Sequence, residues 1–444
     1  MSRELTKPNL EQSAQIALEE AKKRGATAAE VGLSQSKGLS VTVRQREVET
    51  LEHNNDTGLG ITVFFGQSKA SSSTSDLSLP AIREAVEAAC NIARHTQADE
   101  AAGLADADLM ASEFPDLSLY HPWDLSVEKA IELATECEAA GLDADDRISN
   151  SEGATVSSHS GKRIYANSHG FLGVTDSTRH SISASLIARD GRGMQRDFWY
   201  DMARDVADLD SVAHVGLRTA QRTLARLGAG EVKTGSYPVI FAAEVAPSLF
   251  GQLIAAIRGG ALYRNASFLL DKKGEQIFPD FIHIHEQPHL AKALGSAAFD
   301  AEGVATRNRD IISHGVLQDY VLDSYAARRL GLTTTANAGG VHNLTIDSTC
   351  DADFDELVKS MHKGIIVTET MGMGVNIVNG DYSQGAAGFW VENGEIQYPV
   401  DEFTIASNLQ DMFMGLQAVG SDVDVRGNTR CGSVLLDKMM IAAA

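Results

Sequence analysis

GDYSQGAAGFWVENGEIQYPVDEFTIASN, residues Gly380 to Asn408, reads as two strands joined by a tight turn. Ala387, Phe389 and Val391 alternate with Gly388, Trp390 and Glu392, and past Asn393-Gly394, Ile396 and Tyr398 alternate with Gln397 and Pro399. Asn-Gly supplies the positive φ angles a type I′ turn requires, so the segment predicts a β-hairpin. Gly385, Ala386, Ala387 and Gly388 carry almost no side chain. Such a run eases a bend or lets another backbone lie close. One use of close approach is the addition of an extended peptide as an extra strand.

Working outward, the chain has 444 residues, too many for one ordinary domain. Residues 9–24 place Leu10, Ala14, Ile16, Ala17 and Ala21 at helical spacing before Gly25. From Ala28 to Phe65 the period changes to two, with Gly38, Asn54-Asn55 and Gly66 as punctuation. Ser71–Ser75 reads as a mobile turn, and a helix is expected over Pro80–Arg94. Residues 96–122 form an acidic connector. A helix over Asp124–Ala140, capped by Asp124, leads to strands at Ala154–His159, Arg163–Ala166, Phe171–Asp176 and His180–Arg189. Ser160-Gly161 and His169-Gly170 are the expected turns, and a helix follows over Ala203–Leu227. Helix, meander, helix thus recurs, suggesting an internal duplication. Past Gly235 come a buried strand, YPVIF, a helix over Glu244–Arg258, and mostly strands with short helices at Leu322–Leu330 and Asp353–Lys363. The expected class is α+β with antiparallel sheets and flanking helices. Its units are 1–95, the connector 96–122, 123–232, and a mainly-β part at 233–444.

The formal charge of −22 argues against nucleic acid and anionic membrane as partners. No apolar run is long enough to span a bilayer and no N-terminal signal is visible after Met1-Ser2-Arg3-Glu4. The four isolated cysteines, Cys90, Cys137, Cys350 and Cys431, fit a reduced, cytoplasmic protein.

Three motifs bear on chemistry. His285-Glu286-Gln287-Pro288-His289 spells H-E-x-x-H, which holds zinc when a helix sets both histidines on one face. Here Phe281, Ile282 and Ile284 alternate as in a strand, and Pro288 disfavours a helix, so a strand running into a proline turn is expected. No G-x-S-x-G elbow marks a serine nucleophile, although a triad is defined by geometry and not by chain order. Gly339-Gly340 and Gly372-Met373-Gly374 lack the residues of a phosphate loop and read as tight turns.

The opening run resembles the G-x-F…G-x-x-x-E-N-G-x-x-x-x-P-V-x-x-F-T-I-x-x-N signature of the TldD/PmbA family, with Tyr382 in place of the Phe. Gly388, Glu392, Asn393, Gly394, Pro399, Val400, Phe403, Thr404, Ile405 and Asn408 match it. Phe299-Asp300-Ala301-Glu302-Gly303 resembles the family's F-D-x-E-G turn, and Thr335-Ala336-Asn337-Ala338 its T-G-N-A. The ending, Arg430-Cys431-Gly432-Ser433 through Ala442, is similar to the PmbA branch, also called TldE.

The resemblance implies that the active TldD branch carries H-E-x-x-x-H on the helix equivalent to Glu244–Arg258, completed by a cysteine near the C-terminus. Gly251, Gln252 and Ala256 stand at those three positions, and Cys431 keeps the fourth. Neither Gly251 nor Ala256 offers a ligand atom, and Gln252 cannot act as a base. No metal is therefore expected on this chain; zinc would sit on a TldD-like partner in a heterodimer that processes unfolded peptides. Microcin maturation, antitoxin turnover and an older label as a modulator of DNA gyrase also attach to the family. Tyr382, Ser383, Gly385, Gly388 and Asn393 are the expected channel-wall residues. The rival expectation is a peptide-binding or regulatory homodimer with no enzymatic role.

Overall fold

The computed structural model describes residues 9–443; the opening Met1-Ser2-Arg3-Glu4 and Ala444 lie outside them. The first half runs α1 (Leu10–Lys23), β1 (Ala28–Arg44), β2 (Glu47–Phe65), β3 (Ser68–Thr74), α2 (Leu79–Ala93), α3 (Val127–Leu142), β4 (Ile148–Asn167), β5 (Leu172–Arg189), β6 (Met194–Ala203) and α4 (Val212–Ala225). Helix, three strands, helix occurs twice, but the two repeats share one sheet. β1 pairs antiparallel with β4, giving the six-stranded order β3-β2-β1-β4-β5-β6.

Period-two alternation divides this sheet into two unlike faces. Val31, Leu33, Leu59, Ile61 and Val63 pack under α1 and α2, and Leu39, Val41, Val43, Val156 and Ile182 pack under α3 and α4. Each such side chain, fully buried, contributes about 1.5–3 kcal/mol. The alternate residues face away from every one of these helices. On β1 they are Gly32, Ser34, Ser36, Gly38, Ser40 and Thr42; opposite them on β4 stand Tyr165, Arg163, Gly161, His159, Ser157 and Thr155. Hydroxyls bond across strands here, Thr42 to Thr155 at 2.9 Å and Ser157 to Ser181 at 2.7 Å.

Several expected breaks are absent. Gly38 lies mid-strand, opposite Asn54 on one side and His159 on the other, and Ser160-Gly161 is likewise paired within β4. Ser68–Thr74 is a strand against Leu59–Phe65, not a mobile turn. The real β1–β2 turn is Gln45-Arg46, with φ of 53° and 64°. Their backbone N–H groups both donate to the buried Glu138 carboxylate, at 2.8 and 2.7 Å, so a distant side chain holds a turn that no glycine marks. The cap of α3 is Ser126, accepting from Lys129 N at 3.1 Å, and not Asp124. The expected helix start at Ala203 belongs to β6, and α4 begins after its cap Ser211.

The second half runs β7 (Gly235–Phe241), α5 (Ala246–Ile257), α6 (Gly259–Leu262), β8 (Ile284–Glu286), β9 (Arg309–Ser313), β10 (Val316–Leu317), α7 (Ser324–Leu330), β11 (Leu344–Ile346), α8 (Phe354–Met361), β12 (Gly364–Met371), β13 (Val375–Asn376), β14 (Asp381–Glu392), β15 (Glu395–Asn408), α9 (Leu409–Met414), β16 (Leu416–Val419), β17 (Thr429–Arg430) and β18 (Val434–Ala442). β14 and β15 form the expected hairpin, and Asn393 and Gly394 turn it with φ of 55° and 73°. Its strand β14 is not a sheet edge. β12 pairs with β7 on one side and β14 on the other, so β12, β7, β18, β15 and β14 close into a ring. A smaller sheet, β10-β9-β8-β11-β17, accompanies it. Leu249, Phe250, Leu253 and Ile257 of α5 join Phe278, Phe403 and Phe413 in the main core of this half.

Candidate functional site

The H-E-x-x-H letters do not form a site. His285 lies in β8 and bonds through Nε2 to Asp347 at 2.9 Å, whereas His289 Nε2 meets Thr306 Oγ1 at 3.1 Å. Glu286 is only 2% exposed, and its carboxylate accepts from Arg309 Nε and Asn337 Nδ2, both at 2.8 Å, and from the His342 backbone N–H. A buried carboxylate tied to three donors, one of them an arginine, holds the fold.

On α5, Gly251 is exposed, Gln252 is half-buried and Ala256 is buried. The Ala256 carbonyl accepts from Ser267 Oγ at 2.6 Å. Cys431 lies in the same core, its Sγ donating to the Gly432 carbonyl at 3.1 Å. Burial pushes its thiol well above the ordinary range, and Asp422 adds to that, so it stays protonated. Zinc needs three or four protein donors. The four positions of the family pattern hold one thiol, a glycine, an amide and an alanine, and among the described residues no three His, Cys, Asp or Glu side chains are grouped to hold a metal ion. The donor set does not fit zinc.

The hairpin residues expected along a channel differ in exposure: Tyr382 and Gly388 are buried, Gly385 is half-buried, and Ser383 and Asn393 are exposed. Tyr382 is buried in the core, with its hydroxyl on Gln384 Oε1 at 2.8 Å, and burial pushes its phenol up. Ser383 is exposed and its N–H donates to the Gly374 carbonyl at 2.7 Å. Gly385 is paired to Met371 and Thr404, and Asn393 projects at the exposed turn. Gly388 is buried where β12 crosses closest: a Cβ there would sit 1.7 Å from the Ile366 carbonyl oxygen. The close approach expected of the glycine run is thus real, but its occupant is the chain's own β12. Strand addition to β14 is excluded from Gly385 to Val391, because β12 and β15 occupy both edges of that strand there.

A cleft of about 1170 Å³ opens instead where the hydroxyl face of the first sheet meets loops of the second half. Gly32, Ser34, Gly58, Gly60 and Ser73 form its floor, and Ser296, Asp300, Gly340 and His342 line the opposite wall. Arg204 fastens the two sides, donating to the carbonyls of Thr178, Ala293 and Leu294 at 3.2, 3.1 and 2.7 Å. Burial pushes Asp300 up to about 7, against three backbone N–H groups that favour its ionised form. Burial also raises Glu302 and Glu30; the latter accepts from Tyr165 Oη at 2.8 Å. Burial pushes His342 down. Hydroxyls and small side chains over exposed sheet suit contact with a polar, extended chain; they offer no activated nucleophile. The F-D-A-E-G run at Phe299–Gly303, the T-A-N-A run ending at Ala338 and the Gly339-Gly340 pair were the sequence signals at this wall.

One constellation carries no sequence motif. His121 Nε2 lies 3.0 Å from Ser118 Oγ, and Nδ1 lies 3.3 Å from Asp205 Oδ2, the order of a nucleophilic triad. Nε2 also lies 3.0 Å from the Ser118 carbonyl, which calls for a proton on that nitrogen and not a lone pair. Lys292 Nζ holds Asp205 at 2.7 Å. The arrangement locks a turn and does not activate the serine.

Residues 29–93, 120–227 and 234–443 match domain 1, the central domain and the C-terminal domain of the PmbA/TldA metallopeptidases. The chain belongs to this metallopeptidase family. It is 50% identical over 433 residues to Metalloprotease PmbA of Escherichia coli O157:H7, covering 98% of this chain and 96% of that one. It is 48% identical, with the same coverage, to a PmbA homolog of Haemophilus influenzae. The solved structure of a Bacteroides thetaiotaomicron protein described as a modulator of DNA gyrase has a TM-score of 0.93 at 30% identity, over 98% of this chain and 99% of that one. A more distant relative, 25% identical over 268 residues covering 56% of this chain and 59% of its own, is a zinc metalloprotease TldD homolog of Saccharolobus solfataricus. No described helix is long and apolar enough to cross a membrane.

Proposed function

We propose that this chain is a catalytically silent, PmbA-type subunit of a zinc peptidase, paired in the cytoplasm with a TldD-like subunit that brings the metal. Its task is to shape the path of an unfolded peptide, with the hydroxyl-floored cleft as part of that path. The donor set at Gly251, Gln252, Ala256 and Cys431 carries the reading: one buried thiol and no other ligand atom suited to zinc. Zinc content and cleavage of an unfolded peptide, measured for the chain alone and after mixing with a TldD-like subunit, test it. Substoichiometric zinc and no cleavage alone, with cleavage on mixing, are expected. Stoichiometric zinc with cleavage by the lone chain would overturn the silent role. A homodimer that ignores the partner in size-exclusion chromatography would favour a regulatory protein instead.

A further inference from the structure

In the second half β14 has no free edge from Gly385 to Val391, whereas the first sheet has a free edge. β3 covers β2 only from Leu59 to Phe65. From Glu47 to Gly58 the outer edge of β2 meets no strand, helix or loop hydrogen bond among the described residues, while β1 holds its other edge. An antiparallel edge of that kind presents outward-facing N–H and C=O groups ready to pair. Natural edges are commonly blunted by charged side chains, Pro, bulges or a covering contact. The opposite edge of this sheet is blunted so: Arg426 donates to the Tyr200 carbonyl at 2.6 Å and lies over Trp199 and Tyr200. Glu47–Gly58, EVETLEHNNDTG, holds no Lys, Arg or Pro and has one bulge near the turn.

The charge of the edge selects its occupant. Glu47, Glu49, Glu52 and Asp56 lie along it, and only Glu49 has an ion-pair partner among the described residues, Arg44 at 3.2 Å. Val48 and Leu51, opposite Val43 and Val41 on one face, are 46% and 43% exposed. Beside that face runs a groove of about 600 Å³, lined by His53, Asn55, Trp123, Leu125 and His180. His180 is 1% exposed; its Nε2 donates to the His121 carbonyl at 2.9 Å, and Nδ1 is buried with no partner. A second copy of this chain pairing antiparallel at the same edge would set carboxylates against carboxylates, which is unfavourable.

We propose that the β2 edge from Glu47 to Gly58 binds an extended, basic peptide by strand addition, its Lys or Arg side chains meeting the carboxylates and one alternate side chain entering the Trp123–His180 groove. Main-chain pairing supplies affinity, and the acidic row supplies selectivity.

The test uses the full chain and a short fluorescein-labelled peptide of alternating Lys and Thr, read by anisotropy and by Trp123 emission. Binding is expected to weaken with salt, and to fall on the order of tenfold in the double variant Glu47→Lys/Glu52→Lys, whose exposed sites leave the fold intact. A Glu-Thr peptide and a Lys-Thr peptide N-methylated at alternate residues should not bind. Equal binding of the Lys and Glu peptides, retained binding by the N-methylated one, or no effect of the double variant would overturn the proposal. So would a doubled mass in light scattering that the double variant abolishes, which places a second copy on the edge. No partner chain or cleavage is involved, so the result stands apart from the fate of the silent-subunit reading.

Discussion

The two halves of the chain solve the same problem in opposite ways. Both are built on antiparallel strands whose backbone groups must be satisfied. The second half closes β12, β7, β18, β15 and β14 into a ring, and its conserving of edges demands close backbone contact, as at Gly388 against Ile366. The first half leaves its sheet open, covers one face with helices, and gives the other to Gly, Ser and Thr. A closed ring tolerates little change at its seams. An open sheet tolerates much, and it keeps one acidic edge and one hydroxyl face available for something else.

The sharpest way to break this comparison is a matched pair of glycine substitutions. Gly388→Ala drives a Cβ into backbone, so it should cost about 5 kcal/mol or leave no soluble protein. Gly38→Ala meets only the His159 imidazole, 2.1 Å away, which can swing aside. It should cost about 1 kcal/mol or less by urea denaturation. Equal losses would erase the distinction between the halves. Next in size, Arg309→Ala strands the buried Glu286 carboxylate and should cost about 3 kcal/mol in the same assay. His285→Ala removes a partly exposed pair with Asp347 and should cost about 0.5 kcal/mol, although His285 and Glu286 are neighbours in the same H-E-x-x-H run.

The seam between the halves sets a pH dependence. Asp300 rises from 3.8 to about 7 on folding, so between those values the folded chain binds more protons than the unfolded one. Stability from this group is therefore full below about pH 4 and lost as pH rises toward 7. Glu30 and Glu302 act in the same sense. The urea midpoint should be higher at pH 5 than at pH 7.5, and Asp300→Asn should flatten the difference. The gentlest probe is hydrogen exchange: outward amides of Glu47–Gly58 should exchange faster than those of Gly385–Val391, where both edges are paired.

The hairpin and its Asn393-Gly394 turn were legible because a two-residue turn writes its φ angles into its own letters. The repeat of helix, meander and helix was legible from a change of period. The lengths of the strands were not. Gly38, Asn54-Asn55 and Ser160-Gly161 look like punctuation, but they lie on an open polar sheet that asks for no bulky side chains. The true turn at Gln45-Arg46 is held by Glu138, whose distance in the chain hides it. Ring closure was equally hidden, since nothing in the run from Gly385 to Gly388 tells which backbone will lie against it. The positions Gly251, Gln252 and Ala256 became visible only through family resemblance; their own pattern is that of an ordinary apolar helix. The Ser118–His121–Asp205 arrangement joins Ser118 and His121 to an aspartate far away in the chain, so no local pattern announces it.

The pairing of β18 between β7 and β15 also has a consequence in time. Strand β7 begins at residue 235 and its neighbour β18 at residue 434. At about 5–20 residues per second of synthesis, YPVIF waits roughly 10–40 seconds for the strand that covers its edge. The first sheet has all six strands long before that. During each round of translation the molecule is therefore half finished, with an apolar strand edge awaiting its partner, and this interval is when a holding chaperone has the most to offer it.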